Sequence, residues 1–246
     1  MLVTIITATY NSADTLEQCI KSVLDQTYKN IEYIIIDNCS KDKTLDIAKS
    51  YAEDVSRIVS EPDKGIFDAL NKGILLAQGN IIGFLHADDF YASSAVIEKV
   101  VAKFSEAGSD AVYGDLQYVS KKNPAKIVRN WISGEYSIKK LQNGWMPPHP
   151  TLFIKRACYK KFGFFNIDFK IAADYELILR FIAKNKMTLS YIPEVLVKMR
   201  IGGTSNKSLK NIFTKSSEDL RAMKLHGTGN FFTLFKKNFR KLGQIL

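Results

Sequence analysis

The chain has 246 residues, with 35 Lys plus Arg against 25 Asp plus Glu and a formal net charge of +10. Hydrophobic residues at 46% and charged residues at 24% exclude a disordered chain, and no apolar run reaches the roughly 18 residues that cross a bilayer. Three cysteines (Cys19, Cys39, Cys158) without CxxC spacing argue against a disulfide framework and predict reduced thiols in the cytoplasm.

Met1 leads directly into a strand-like run, which argues against a cleaved signal peptide. In the first half, strands are predicted at 3–9, 33–37, 57–60, 81–85 and 110–114, where β-branched residues sit between turn formers. Helical patterns at 14–27, 43–52, 67–77 and 93–105 lie between them. Alternation of this kind predicts an α/β protein with a mostly parallel central sheet covered by helices on both faces. After 116 the rhythm changes. LQYV and KIVRNW read as an antiparallel pair, and NGWMPPHP (143–150) as loop. A helix is predicted at 173–185, followed by strands at 187–192 and 195–201. The last forty residues read as two helices broken near HGTGN (226–230). The expected organisation is one domain over 1–206, divided into halves at 1–115 and 116–206, with a helical appendage over 207–246.

The basic excess is uneven. Residues 207–246 hold nine Lys or Arg and two acids, a net +7, so the rest of the chain carries only +3. On a helical wheel Phe231, Phe235, Phe239, Leu242 and Leu246 form one stripe, with Lys236, Lys237, Arg240 and Lys241 around the other side. That pattern fits either an interfacial helix on anionic lipid, through 228–246, or a helix docked on protein with a solvated basic face. A nucleic-acid partner is disfavoured, because the basic residues do not spread over the sheet domain.

Ligands of open parallel sheets bind outside the carboxyl ends of the strands. Strand one here exits into Thr9, Tyr10 and Asn11, strand two into Asp37 and Asn38, and strand four into His86, Asp88 and Asp89. GxGxxG and GxxxxGK[ST] patterns are absent, which disfavours dinucleotide and P-loop readings. Adjacent carboxylates at Asp88 and Asp89 repel unless a cation joins them, so a hard divalent ion is favoured over a solvated turn with a helix-capping Asp.

TIITATYN, IIIDNCSKD, EPDKGIFDALNKGI, LHADD and AADYELILR, in this order, resemble the family-2 glycosyltransferases, over roughly residues 2–205. The resemblance implies a Rossmann-like fold of the GT-A type and an inverting transfer from a nucleotide-sugar, with a UDP-sugar favoured. The implied acceptor is a glycan or lipid-linked glycan in cell-surface polysaccharide synthesis. It implies that Thr9, Tyr10, Asn11 and Asp37 hold the nucleoside, with Asp88 near the ribose. Asp89 would ligate Mg²⁺ or Mn²⁺, and Asp174 would be the general base. In the loop after strand three, Asp63, Lys64 and Gly65 would meet the donor, Lys64 through a phosphate and Gly65 by close backbone approach. His149 would contact metal or phosphate, or else be packed. Trp145 and Met146 either wall the acceptor site or fill core. Arg200, Gly202 and Gly203 either close over the diphosphate or end the last strand. Three positions depart from the family pattern: Asn38 stands where a second acid is frequent, Cys39 where glycine is frequent, and Ala173 where an acid precedes the base. The competing class is a catalytically silent nucleotide-binding or scaffolding relative, which intact Asp37, Asp88, Asp89 and Asp174 disfavour. The implied location is cytoplasmic, against the inner face of the membrane.

Overall fold

The computed structural model of the chain describes residues 1–202 and 209–242. Its parallel core follows the sequence expectation. Strands β1 (Val3–Thr9), β2 (Ile31–Asp37), β3 (Arg57–Ser60) and β4 (Ile81–Phe84) lie side by side in the order β3-β2-β1-β4, all parallel. Helices α1 (Leu16–Leu24), α2 (Thr44–Lys49) and α3 (Ile66–Leu76) make the crossovers, and α4 (Val96–Ala107) follows. Every residue of β1 is buried, and alternate side chains enter opposite cores. Val3 and Ile5 join Leu16, Ile20, Val100 and Phe104 of α1 and α4 on one face. Ile6 and Ala8 join Ala69, Leu70 and Ile74 of α3 on the other. Each fully buried Val, Leu or Ile among them contributes about 1.5–3 kcal/mol relative to exposure.

Beyond β4 the sheet becomes mixed. Strand β8 (Phe153–Lys155) pairs antiparallel with both β4 and β6 (Ala111–Val119). Then β9 (Leu189–Arg200) runs parallel to β6, β5 (Asp89–Tyr91) closes the edge against β9, and β7 (Ile127–Trp131) pairs with β6 off the main path. Two expectations are corrected here. LQYV continues the strand begun at 110–114 rather than starting a new one. The strands expected at 187–192 and 195–201 are a single strand that passes through Pro193. The β6–β9 register skips there, from Tyr113↔Tyr191 to Asp115↔Val195, so the proline sits in a bulge where no ladder donor is required.

The remaining helices cover the second core: α5 (Ile138–Gln142), α6 (Arg156–Phe162), and α7 (Ala173–Leu179), which runs on through a π turn (Arg180–Lys184). The two expected tail helices are α8 (Leu209–Leu225) and α9 (Phe231–Leu242). They dock on α7, where Ala222, Met223 and Leu234 enter the core. The orientation of α9 departs from the wheel. Thr233, Leu234 and Lys237 are buried, whereas Phe231 and Phe235 of the expected apolar stripe are exposed, together with Phe232. Burial of Lys237 is compensated by an ion pair with Asp219 at 2.9 Å, and its ammonium lies 3.0 Å from the ring centre of Tyr175. Gly144 lies against this lysine, and a Cβ there would come within 2.7 Å of Lys237 Cβ. Side chains at 238–242 and residue Leu246 lie outside the described residues, and so do Phe239, Arg240, Lys241 and Leu242 of the wheel. Among the described residues, no helix is long and apolar enough to cross a membrane.

Candidate active site at the strand ends

Four loops meet at the carboxyl edge of the parallel strands. After β1, Thr9 is buried, Tyr10 is exposed, and Asn11 adopts φ +48°. Asn11 joins this loop to the next one: its backbone N–H donates to Ser40 Oγ at 2.9 Å, and its Oδ1 accepts from Lys41 N at 2.8 Å. Asp37, at the end of β2, is fully buried. Its carboxylate accepts from the Ser40 backbone N–H at 3.1 Å, from the Ser40 hydroxyl, and from the Ser60 hydroxyl at 2.6 Å. Asp37 therefore organises the loop around Cys39 and Ser40 instead of presenting a free carboxylate. Ser40 and Ser60 escaped the sequence reading because serines in turns carry no pattern of their own. Asn38, noted as a departure, accepts the backbone N–H of Asp63 at 2.9 Å and ties the β2 loop to the β3 loop.

In the β3 loop, Asp63 accepts from Gly65 N at 2.7 Å, and desolvation raises its carboxyl above the usual range. Lys64 is exposed, and its backbone N–H donates to Asp68. Gly65 has φ +118°, a conformation that L side chains rarely adopt, and a Cβ there would meet nothing within 4 Å. The position at the start of α3 is thus uncrowded among the described residues.

The end of β4 separates the two acids that the sequence set side by side. Asp88 is half-buried and reaches the edge, whereas Asp89 enters β5 with no exposure. Burial, and then the charge of Asp88, push the Asp89 carboxyl well above its normal range. Its Oδ1 accepts the Arg200 backbone N–H at 3.2 Å, and its Oδ2 finds no partner among the described residues. Arg200, itself 4% exposed, donates to the main-chain oxygen of Asp88 and to Gln18 Oε1. It holds the turn from beneath. Gly202 has φ +108° and open space around it, and Gly203 lies outside the described residues.

Two imidazoles line the site floor. The His86 and His149 rings stand 5.8 Å apart, and His149 is packed against Phe84 and Phe165. Burial pushes His149 down to about 4, against the opposing pull of Asp174, and lowers His86 against Asp88 and Asp174. His86 Nδ1 and His149 Nε2 lack partners among the described residues. Asp174 is half-buried in the first turn of α7, and its Oδ1 accepts from Tyr175 N at 2.8 Å. Trp145 is core: it is buried, edge-on to Tyr113, and donates from Nε1 to Ser133 O at 2.9 Å.

Among the described residues, no three His, Cys, Asp or Glu side chains converge as a closed metal cage. A hard cation such as Mg²⁺ is ordinarily held by one or two carboxylates plus substrate phosphates. Half-buried Asp88, whose charge reaches the His86 ring, fits that kind of shared site, and Asp89, although without exposure, keeps one carboxylate oxygen unpartnered among the described residues.

The fold has clear counterparts. The structure of S. aureus TarS 1–349 in complex with UDP-GlcNAc superposes with TM-score 0.70 at 17% identity, covering 92% of this chain and 65% of that one. A mannosyltransferase from Pyrobaculum calidifontis, in complex with GDP-Man and Mn²⁺, gives TM-score 0.67 at 18% identity, covering 98% and 70%. This chain thus spans about two thirds of the length of each. In sequence, a PGL/p-HBAD biosynthesis glycosyltransferase of Mycobacterium tuberculosis is 30% identical over 220 residues, 86% of this chain and 82% of that protein. A glycosyltransferase of Rickettsia typhi is 31% identical over 220 residues, 86% and 68%. The family model for glycosyl transferase family 2 matches residues 4–167, from β1 through the β4 turn to the loop before α7. With that match, a GT-A fold and carboxylates gathered at the strand ends, the chain belongs to glycosyl transferase family 2 and is a glycosyltransferase.

Proposed function

We propose that this glycosyltransferase moves a sugar, with inversion, from a nucleotide-sugar to a hydroxyl of a glycan or lipid-linked glycan in cell-surface polysaccharide synthesis. A UDP-sugar is the favoured donor. The observation that carries the reading is the grouping at the strand ends: half-buried Asp88 lies two residues after His86, the His86 and His149 rings stand 5.8 Å apart, and the charge of half-buried Asp174, at the start of α7, reaches both imidazoles. Two carboxylates around one cleft supply the two charges that such a transfer needs. Asp88 would share a divalent cation with the donor diphosphate, and Asp174 would take the proton from the acceptor hydroxyl. The cation, when bound, offsets charge on the departing nucleoside diphosphate.

The remaining roles follow from position. Tyr10 and Asn11 would wall the nucleoside, with Thr9 beneath them and the loop braced by Asp37 through Ser40 framing the base. Lys64 and the backbone at Gly65 would face the phosphates, and the free Nε2 of His149 supports a contact there. Residues 1–115 would then form the donor half and 116–206 the acceptor half. The acceptor hydroxyl attacks the anomeric carbon from the face opposite the leaving diphosphate, so a single displacement inverts the configuration.

Exposed Phe231, Phe232 and Phe235 on a basic tail, with Phe213 on α8, support attachment to an anionic membrane on its cytoplasmic face. Replacing Phe231, Phe232 and Phe235 by Ser should abolish co-sedimentation with anionic vesicles without unfolding the chain; unchanged co-sedimentation would remove the membrane role. A thermal-shift comparison of UDP-GlcNAc and GDP-mannose, each with and without Mn²⁺, tests the enzyme reading. A donor should raise the melting temperature, more so with Mn²⁺, and Asp88→Ala should erase the Mn²⁺ increment. The absence of any donor-dependent shift would defeat it.

A further inference from the structure

We propose that Glu218, on the tail helix α8, is a positioning residue for Asp174; this rests on Asp174 being the base. Glu218 lies 46 residues beyond Ala172, yet its carboxylate gathers the backbone donors that lead into α7. Its Oε1 accepts from Lys170 N at 2.8 Å, and its Oε2 accepts from Ile171 N at 2.8 Å and Ala172 N at 2.9 Å. Helix α7 begins at the next residue, and no side chain caps it from its N-cap position, Ala172. A helix start without a cap leaves several backbone donors to find partners elsewhere. Here a carboxylate from the tail accepts three charge-assisted hydrogen bonds, one from the N-cap residue Ala172 and two from the residues that lead into it, on the side of the helix dipole that favours negative charge.

Asp174 is the second residue of that helix, and its own carboxylate bonds to the next backbone N–H. Where its other oxygen points therefore depends on how the first turn is held. The tail grips the same helix again further on. His226 Nε2 meets Glu176 Oε1 at 2.8 Å, and Lys237 lies over the Tyr175 ring. Glu218, however, acts on the residues directly before the base. A misplacement of about 1 Å in a catalytic group costs about 10²-fold in rate. The effect of removing Glu218 falls on kcat, because the loops after β1, β2 and β3 that would bind the nucleotide are not among its three partners.

The test uses the full chain with Glu218→Ala, Glu218→Gln and Asp174→Ala. The readouts are amide hydrogen exchange, UDP affinity, and UDP release from UDP-GlcNAc in the presence of Mn²⁺. Glu218→Ala is expected to speed exchange at 170–172 at least tenfold while 177–182 keep their protection. Its UDP affinity should stay within twofold, and UDP release should fall about 10²-fold. Glu218→Gln, which keeps one acceptor oxygen for Ile171 N and Ala172 N but turns an amide NH2 toward Lys170 N, should recover part of both effects. Unchanged exchange at 170–172 would overturn the proposal whatever the turnover. So would parallel loss of UDP affinity and of protection throughout α7, which would mark a general fold support. Asp174→Ala at the wild-type rate would defeat the base assignment and this proposal together. An inactive Asp174→Ala beside a fully active Glu218→Ala would defeat only this one.

Discussion

The guanidinium of Arg200, near the end of β9, donates to the main-chain oxygen of Asp88, so the last strand of the sheet holds the turn that presents this carboxylate. The same side chain reaches Gln18 on α1, and its backbone N–H meets Asp89. Lysine keeps the charge but not the planar fork. Arg200→Lys should therefore lose about 2 kcal/mol of stability, read by denaturant unfolding, and weaken Mn²⁺-dependent donor binding. Wild-type stability and binding in this variant would show that the fork is idle.

Asp174→Asn preserves the size and the helical position of the side chain but cannot accept the proton. Transfer should fall 10²–10⁴-fold, with donor affinity and far-ultraviolet dichroism unchanged. Asp88→Asn should behave differently, weakening the donor in the presence of Mn²⁺ more than in its absence. If Asp174→Asn turned over normally, another group would be the base.

Burial pushes the Glu176 carboxyl up, but hydrogen bonds from His226 and Arg180 outweigh that cost and leave it below its ordinary value of 4.5. A depressed carboxylate stabilises the fold above its unfolded pKa, and that stability is lost as pH falls through the folded pKa. Glu176→Gln should cost about 3 kcal/mol near neutral pH, since it leaves a buried partner unpaired. The gap between the two proteins should be constant above about pH 5.5 and narrow as the pH falls through 4.5 and below. A gap independent of pH would show that the charge plays no part.

Cys39 adopts φ +48°, the left-handed region where a side chain is costly. The sequence flagged this position because glycine is frequent there in the family. Cys39→Gly should gain about 0.5–1 kcal/mol after the entropy of a freer unfolded chain is deducted, a rise of about 1–4 °C in Tm. A lower Tm would mean that the thiol's packing outweighs the backbone strain.

Much of this was legible because burial on both faces leaves a plain mark. The apolar runs of β1, β2 and β4, each followed by polar residues, located three of the loops at the site. Short elements left no comparable mark. Strand β8 is three residues long, and the two arms of β9 were separated on paper by Pro193, which the bulge absorbs. Adjacency in sequence also said nothing of the turn that leaves Asp88 half-buried and sends Asp89 inward. The helical wheel of α9 set its lysines on the basic outer side, and the distant Asp219 and Tyr175 draw Lys237 inward. Glu218 was invisible for the same reason, since its partners lie far back in the chain.

The long reach from Glu218 to the segment before α7 also sets an order of assembly. As a chain leaves the ribosome, its amino-terminal strands and crossovers emerge first. The start of α7 waits for a carboxylate made 46 residues later. A growing chain therefore completes its first parallel strands well before the segment entering α7 can take its final hold, which waits until the tail helix has been made.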